Sequence, residues 1–484
     1  MKLKKLLKDI PIRSVKGSKD VEITGVCANS KLISPGNLFI ARKGRSDDGS
    51  RYIQEAVAAG AAAILTDIYD PSFKEVVQLI HPSPGDLEGA FAASYYQYPA
   101  KELFMVGITG TNGKTTTSFV VKHLLDNFQG PCGLIGTIEY IIGQNRYQAT
   151  RTTPDVSTNH KMLREMLIQG CRSAVMEVTS HALDQGRVMY IDYNVAIFTN
   201  LTLDHLDYHQ TMDEYCLAKN RLFRSLGSHK AAVVNADSPW TPKIVQGCRS
   251  KILTYGIDSQ ADLRASDIEL TPNGTKMKIH YDGKTYVCEW PLVGRFNVYN
   301  CLAGMGAALQ LHASPRDIIE RLATMPPVVG RLQPVRNDLG LKIYVDFAHS
   351  NDALINVLEC LSELKTGRIF TVFGCGGDRD QSKRSKMAEA AEQFSDLSIV
   401  TSDNPRTEDP AEICRQIVQG FNKKGSYHIE LDRRKAIKHA IDLAKPDDII
   451  LVAGKGHEPY QIFAHQTIEF NDCKVVAELC REKI

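Results

Sequence analysis

The chain lacks any run approaching the ~18 apolar residues of a transmembrane helix, and no apolar stretch follows its opening Met1-Lys-Leu-Lys-Lys5. Neither a membrane span nor a signal peptide is therefore expected, and the expected location is the cytoplasm. Its 12 cysteines, Cys27, Cys171, Cys248 and Cys301 among them, never form a Cys-x-x-Cys pair. That argues against a zinc ribbon or a disulfide scaffold and for buried, reduced thiols. A net charge of only +2 gives no electrostatic reason to expect nucleic acid or a membrane as partner. Internal repeats and low-complexity tracts are absent too. What is present is an ordinary globular composition, 43% hydrophobic and 24% charged, spread over 484 residues. That is too long for one core, and three domains are expected.

The central stretch is Val106-Gly-Ile-Thr-Gly-Thr-Asn-Gly-Lys-Thr-Thr-Thr117. Apolar residues from Leu103 to Val106 predict a short buried strand, and apolar spacing from Ser118 to Phe128 predicts a helix. A Gly-x-x-Gly-Lys-Thr turn between them is a phosphate cradle, with backbone N–H groups and a helix N-terminus facing an anion. Lys114 neutralises phosphate charge there, and the Thr115 hydroxyl suits Mg²⁺. Ile108 stands where the common P-loop spacing has glycine, so the motif is a variant.

Residues 1 to 98 read as a small α/β domain, with a Pro35-Gly36 turn leading into an apolar strand and Pro99 at the boundary. Residues 99 to 331 carry most of the chemistry. Ala174-Val-Met-Glu-Val-Thr-Ser-His181 and Ala196-Ile-Phe-Thr-Asn-Leu-Thr-Leu-Asp-His-Leu-Asp207 each end an apolar strand in polar groups. Such strand ends open into the ligand crevice of an α/β sheet, making Glu177 and His205 candidates for a Mg²⁺ site. Lys219 lies on an amphipathic helix. Asn297 and Asn300 share one face of another, where carboxamides suit a base edge and N-capping is the plainer role. A turn-rich hinge, Met325-Pro-Pro-Val-Val-Gly-Arg331, closes the region. Residues 332 to 484 alternate buried strands with helices, a doubly wound pattern. Polar loops follow the strands: Asp346-Phe-Ala-His349, Gly374-Cys-Gly-Gly-Asp-Arg-Asp380, Asp403-Asn-Pro-Arg406 and Gly454-Lys-Gly-His-Glu458. Turn chemistry does not require Arg379, Arg406 or Glu458, so these loops are expected to bind a ligand.

The glycine loop, Glu-Val-Thr-Ser-His, Asp-His-Leu-Asp, Ala-Lys-x-x-Leu-Phe and Gly-x-Phe-Asn-x-x-Asn occur in one order along the whole chain. This series resembles the Mur ligases, ATP-dependent amide-forming enzymes of peptidoglycan precursor synthesis. The resemblance implies an α/β protein with an N-terminal UDP-sugar domain, a central P-loop-type ATPase domain and a Rossmann-like C-terminal domain for the incoming amino acid. It implies ATP as co-substrate, Mg²⁺ as cofactor, an acyl-phosphate intermediate, small-molecule partners and a monomer.

By similarity, Lys114, Glu177, His205 and Lys219 are catalytic. Gly110, Thr111, Asn112, Gly113, Lys114, Thr115, Thr116, Asn297, Asn300, Arg331, Asp346 and His349 surround ATP. Thr115 and Glu177 hold one magnesium, and Glu177, His205 and a carbamylated Lys219 the second. Carbamylation needs a neutral amine, which lysine becomes where its surroundings disfavour charge. Ser30, Arg45, Ser46 and Asp47 match uridine-side positions; Thr152, Thr153, Thr179, Gln185 and Arg187 match sugar-peptide contacts. The N-terminal match is looser, with Asn29-Ser30-Lys31 where Asp-Ser-Arg is common, and Phe347 stands where the family often has tyrosine.

Asp403, Asn404, Pro405 and Arg406 have the form associated with members that add meso-diaminopimelate. Arg379 and Arg406 suit its extra carboxylate through bidentate hydrogen bonds; Gly454, Glu458, Asp403 and Asn404 complete the acceptor site. A lysine-adding member, a folylpolyglutamate synthase-like ligase and an inactive ATP-binding regulatory relative are the alternatives. Intact Lys114, Glu177, His205 and Lys219 argue against the last.

Overall fold

A computed structural model describes residues 1–44, 48–271 and 273–483; the expected uridine-side residues Arg45, Ser46 and Asp47 lie outside them. The chain forms three principal sheets, each covered by helices. The first runs Ser14–Lys16, Val77–Ile80, Ala63–Thr66, Asn37–Ile40, Gly25–Cys27, parallel except for its first pair. Its strands are short and apolar, and Leu38, Ile40, Leu65 and Leu79 pack beneath Phe91.

The second sheet has eleven strands, with Phe104–Thr109 in its interior between Ser173–Glu177 and Val195–Phe198, all parallel. Both faces of these strands are covered, which is why their sequences are nearly continuous apolar runs rather than alternating ones. Separate apolar clusters lie on the two faces, one around Val106, Val120 and Leu302, the other around Met105, Met176 and Phe198. Cys132–Ile135 and Ser173–Glu177 lie to one side of Phe104–Thr109, while Val195–Phe198 and the strands after it lie to the other. The reversal of strand order opens a crevice beyond the carboxyl ends of Phe104–Thr109 and Val195–Phe198.

The expected helix begins earlier than periodicity suggests, at Lys114 rather than Ser118. Three consecutive threonines disfavour helix intrinsically. Here Thr117 Oγ1 donates to Asn300 Oδ1 at 3.1 Å and Thr115 Oγ1 to Glu177 Oε2 at 3.1 Å, so tertiary partners override propensity. The third sheet runs Gln333–Pro334, Lys342–Asp346, Ile449–Ala453, Ile369–Phe373, Leu397–Val400, Tyr427–Ile429, parallel apart from its first strand. Apolar clusters on both faces pack helices there, giving the doubly wound layer arrangement. Among the described residues no helix is long and apolar enough to cross a membrane.

Candidate active site

The loop after Phe104–Thr109 is shaped by glycine. Gly113 has φ +83° and stands at the helix N-terminus, and a Cβ there would lie 2.5 Å from Asn300 Oδ1. Only glycine permits both the left-handed backbone and this close approach. The loop is held from the neighbouring strand end: Thr111 N donates to Asn200 O at 2.9 Å, Asn112 N to Asn200 Oδ1 at 2.9 Å, and Thr199 Oγ1 to Asn112 O at 2.6 Å. Thr116 is buried just behind it.

Two lysines converge on one acceptor. Lys114 Nζ donates to Gly110 O at 2.9 Å and Thr111 O at 2.8 Å, and Lys219 Nζ donates to Gly110 O at 2.8 Å. Lys219 is 1% exposed and its ammonium lies 4.5 Å from the centre of the Tyr215 ring. Burial, and then repulsion from Lys114, lowers its pKa well below the ordinary lysine value. Lys114 is also lowered by burial, with Glu177 opposing the shift. The crevice therefore holds two poorly solvated amines in need of negative charge.

Glu177 is fully buried at its strand end. Its Oε1 accepts from Thr137 N at 2.9 Å, and its Oε2 from Thr137 Oγ1 at 2.9 Å and Thr115 Oγ1 at 3.1 Å. Arg331, arriving from the hinge, donates through Nη2 to Thr115 Oγ1 at 3.0 Å. Burial lowers the Arg331 pKa, with Asp346 and Glu177 opposing, and its guanidinium lies 4.8 Å from the Phe347 ring centre. Asp346 accepts from Leu332 N at 2.6 Å and Ala348 N at 2.7 Å, fixing the backbone beside Arg331. His349 is exposed at the same edge, its Nδ1 2.8 Å from Phe347 O.

Asn297 and Asn300 are both buried on the helix Arg295–Leu309 and bond each other, Asn300 Nδ2 to Asn297 Oδ1, at 3.0 Å. Neither is the N-cap, which is Gly294. His205 has a left-handed φ of +55° and joins an aromatic group with His181, Tyr208, His209 and Tyr215, its ring centre 4.8 Å from that of His181. Burial is the main force pushing its pKa down to about 4, with Asp204 opposing, although 42% of the side chain stays exposed. A neutral imidazole results, the form that ligates metals.

The expected sugar-peptide contacts adjoin Glu177. Thr153 Oγ1 donates to Glu177 O at 2.7 Å and accepts from Thr179 N at 3.2 Å, while Thr152 Oγ1 lies 3.1 Å from Thr137 Oγ1. Arg187 donates to Thr153 O at 3.1 Å and also to Gln185 Oε1. Burial, then Arg151 and Arg42, lowers the Arg187 pKa, so three arginines face one region. Arg42 bridges to the buried Glu88 at 2.9 Å. Ser30 stands apart in the first layer, donating to Glu55 Oε2 at 2.8 Å.

In the third layer the strand-end loops adjoin as expected. Arg406, at an unusual φ of +53°, donates to Gly377 O at 2.7 Å. Gly376 lies against it, since a Cβ on Gly376 would meet Arg406 Nη1 at 2.9 Å, and a Cβ on Gly377 would strike the Pro405 carbonyl. Arg379 is exposed and donates to Asp378 O at 3.0 Å. Asp403 accepts from Asn404 N at 2.7 Å, and Gly454, at φ +110°, leaves room for Asp403 Oδ2. Asn404 Nδ2 donates to Glu458 Oε2 at 2.8 Å. Beneath them a fully buried pair, Arg433 and Asp472, bonds at 2.8 and 2.7 Å, and Arg433 also donates to Ser402 O and Ala453 O. It ties the two loop bases together.

Models of three Mur ligase domains match the chain in order: the Mur ligase family, catalytic domain over residues 22–85, the Mur ligase middle domain over 108–308, and the Mur ligase, glutamate ligase domain over 330–456. The UDP-N-acetylmuramoyl-L-alanyl-D-glutamate--2,6-diaminopimelate ligase of Chlamydia pneumoniae is 43% identical over 486 residues, covering 99% of each chain. The chain belongs to the Mur ligase family. The ligase of the same name from Chlamydia caviae is 44% identical over 482 residues, covering 99% of each chain. A solved structure of a UDP-N-acetylmuramoyl-L-alanyl-D-glutamate--2,6-diaminopimelate ligase is 31% identical, with a TM-score of 0.72, covering 100% of this chain and 99% of its own. The three sheets are thus the three-domain Mur ligase architecture.

Sequence reasoning missed several residues of this site. Thr137 supplies two of the three donors to the Glu177 carboxylate, and Lys455 donates to Glu458; Arg151 and Arg42 are near enough to help lower the Arg187 pKa. Thr137 follows the buried strand Cys132–Ile135, so the strand-end rule that selected Glu177 would have found it.

Proposed function

We propose that the chain is an ATP-dependent, ADP-forming ligase that adds meso-2,6-diaminopimelate to UDP-N-acetylmuramoyl-L-alanyl-D-glutamate in peptidoglycan precursor synthesis. The division of labour is residues 1–98 for the UDP-sugar, 99–331 for ATP and 332–484 for the acceptor amino acid. It acts as a cytoplasmic monomer on small molecules. The supporting observation is the convergence of Lys114, Thr115, Glu177 and Lys219 on one phosphate loop, with Arg331 reaching it from the hinge that leads into the third domain.

The donor set fits Mg²⁺. Thr115 and Glu177 offer the hard oxygen donors that ion prefers, and the depressed Lys219 amine can take up CO₂ as an anionic carbamate. Among the described residues no group of three His, Cys, Asp or Glu side chains is arranged to hold a metal ion; the proposed set instead takes Thr115 and the Lys219 carbamate as two of its ligands. Thr115 and Glu177 would hold one ion, and Glu177, His205 and the Lys219 carbamate the other. Bound there, the ions would supply positive charge to the transferred phosphoryl group.

The protein's own part is positioning and charge neutralisation. Lys114 leaves its loop carbonyls for the ATP phosphates, while Asn297 and Asn300 flank the adenine. Arg187, with Thr152, Thr153, Thr179 and Gln185, holds the sugar-peptide so that its terminal carboxylate faces the γ-phosphate. A carboxylate oxygen attacks that phosphorus, the bond to the β-bridging oxygen breaks, and ADP leaves. The acceptor amine then attacks the acyl carbon and loses a proton, and the bond from that carbon to the phosphate-bearing oxygen breaks. Arg379 and Arg406 bind the distal carboxylate of the acceptor, and Glu458, Asp403 and Asn404 its distal amino group.

Carboxylate oxygen labelled with ¹⁸O in the sugar-peptide should appear in the released phosphate. Label found only in the peptide product would exclude the acyl phosphate.

A further inference from the structure

Lys455 is completely buried, and none of the steps above uses it. Its Nζ donates to Asn404 Oδ1 at 3.1 Å and to Glu458 Oε2 at 2.9 Å. Ile462 N donates to the same Asn404 Oδ1 at 3.0 Å. An ammonium and a backbone N–H are donors only, so the Asn404 atom facing both must be its oxygen. Its amide nitrogen is thereby turned towards Glu458 Oε2, at 2.8 Å. One oxygen of Glu458 therefore receives two donors, and no described residue donates to the other, Oε1. The Glu458 side chain keeps 19% exposure, whereas Asn404 is 2% exposed.

We propose that Lys455 is a positioning residue for the acceptor amino acid, locking Asn404 in one amide orientation and holding Glu458 so that Oε1 meets the acceptor's distal amino group. The proposal rests on the ligase assignment above. Lys455 also balances the Glu458 charge within the protein, so the carboxylate is not left as an isolated buried anion. Recognition then depends on where Oε1 points, and a flexible carboxylate of equal charge would recognise the amine less well. Lys455 acts through Glu458 and Asn404 and does not itself touch the amino acid.

The test is Lys455→Met in the full chain, with KM measured separately for meso-diaminopimelate, ATP and the sugar-peptide. A KM for diaminopimelate raised on the order of 10- to 100-fold, as for loss of a charged hydrogen bond, with the other two KM values unchanged, is expected. The loss in Lys455→Met/Glu458→Gln should be clearly smaller than the two single losses combined, because both changes act on the Glu458 interaction. Should Lys455→Met fail to fold, Lys455→Gln keeps a neutral donor at the site and should give a smaller rise confined to the same substrate. An unchanged diaminopimelate KM, an equal rise for all three substrates, or additive losses in the double variant would overturn the proposal. A wild-type chain inactive with diaminopimelate would instead remove the ligase assignment itself.

Discussion

Arg331 Nη2 donates to Thr115 Oγ1 at 3.0 Å, joining the hinge before the third domain to the first turn of the phosphate-loop helix. Because a guanidinium only donates, the Thr115 hydroxyl must accept from it and give its single proton to Glu177. One side of the Glu177 carboxylate is therefore oriented by a residue 216 positions from Thr115 in sequence. Arg331→Met should lower kcat about 100-fold, the scale for removing one donor from a pre-organised anionic centre. Steady-state phosphate release measures it, and an unchanged kcat would show that the contact is incidental.

Thr137 orients both oxygens of Glu177, its N–H donating to Oε1 and its hydroxyl to the same Oε2 that Thr115 reaches. Thr137→Val keeps the shape and the N–H but removes the hydroxyl, and should lower kcat/KM about 10-fold. Thr137→Ser keeps the hydroxyl and should stay near wild type. Equal losses in both variants, compared by initial rates, would point to packing instead.

Much of this site was legible because its residues sit at the ends of buried strands or in a glycine loop. Lys114, Glu177 and Asp403-Asn-Pro-Arg406 are of that kind. Local periodicity could not reveal that Thr115 to Thr117 are helical, since their stability comes from Glu177 and Asn300. Nor could it reveal Lys455 or the Arg433–Asp472 pair, whose importance lies in partners 51 and 39 residues away. The layers themselves followed from alternating strand and helix signals. The strand order that sets Phe104–Thr109 between two neighbours arises from pairing across long stretches of chain.

Arg406 is held by Gly377 O in a left-handed backbone, which persists only where the surrounding structure fixes it. Arg406→Ala should reduce the preference for meso-diaminopimelate over L-lysine on the order of 10- to 100-fold, because a charged hydrogen bond to the extra carboxylate is lost. Competition between the two amino acids reads the ratio. An unchanged ratio would remove Arg406 from carboxylate recognition.

His457 provides a pH signature. Burial, then Arg331, pushes its pKa down to about 3 from an ordinary 6.5. Between these values the unfolded chain binds a proton that the folded chain does not, so this group makes stability rise with pH across that window. Its contribution is fully present above 6.5 and is lost on acidification towards 3. His457→Gln should flatten the pH dependence of unfolding free energy in that range by a few kcal/mol at most, each pKa unit being about 1.4 kcal/mol. Urea unfolding of both proteins at several pH values checks it. Parallel curves would contradict the assignment.

The central claim is that ATP cleavage here serves to join diaminopimelate to a UDP-linked peptide. Its most direct test is phosphate release from ATP with UDP-N-acetylmuramoyl-L-alanyl-D-glutamate and Mg²⁺, comparing meso-diaminopimelate with L-lysine. Release that requires the sugar-peptide and is stimulated by diaminopimelate far more than by lysine is predicted. Stimulation by lysine alone, or by neither amino acid, would contradict it.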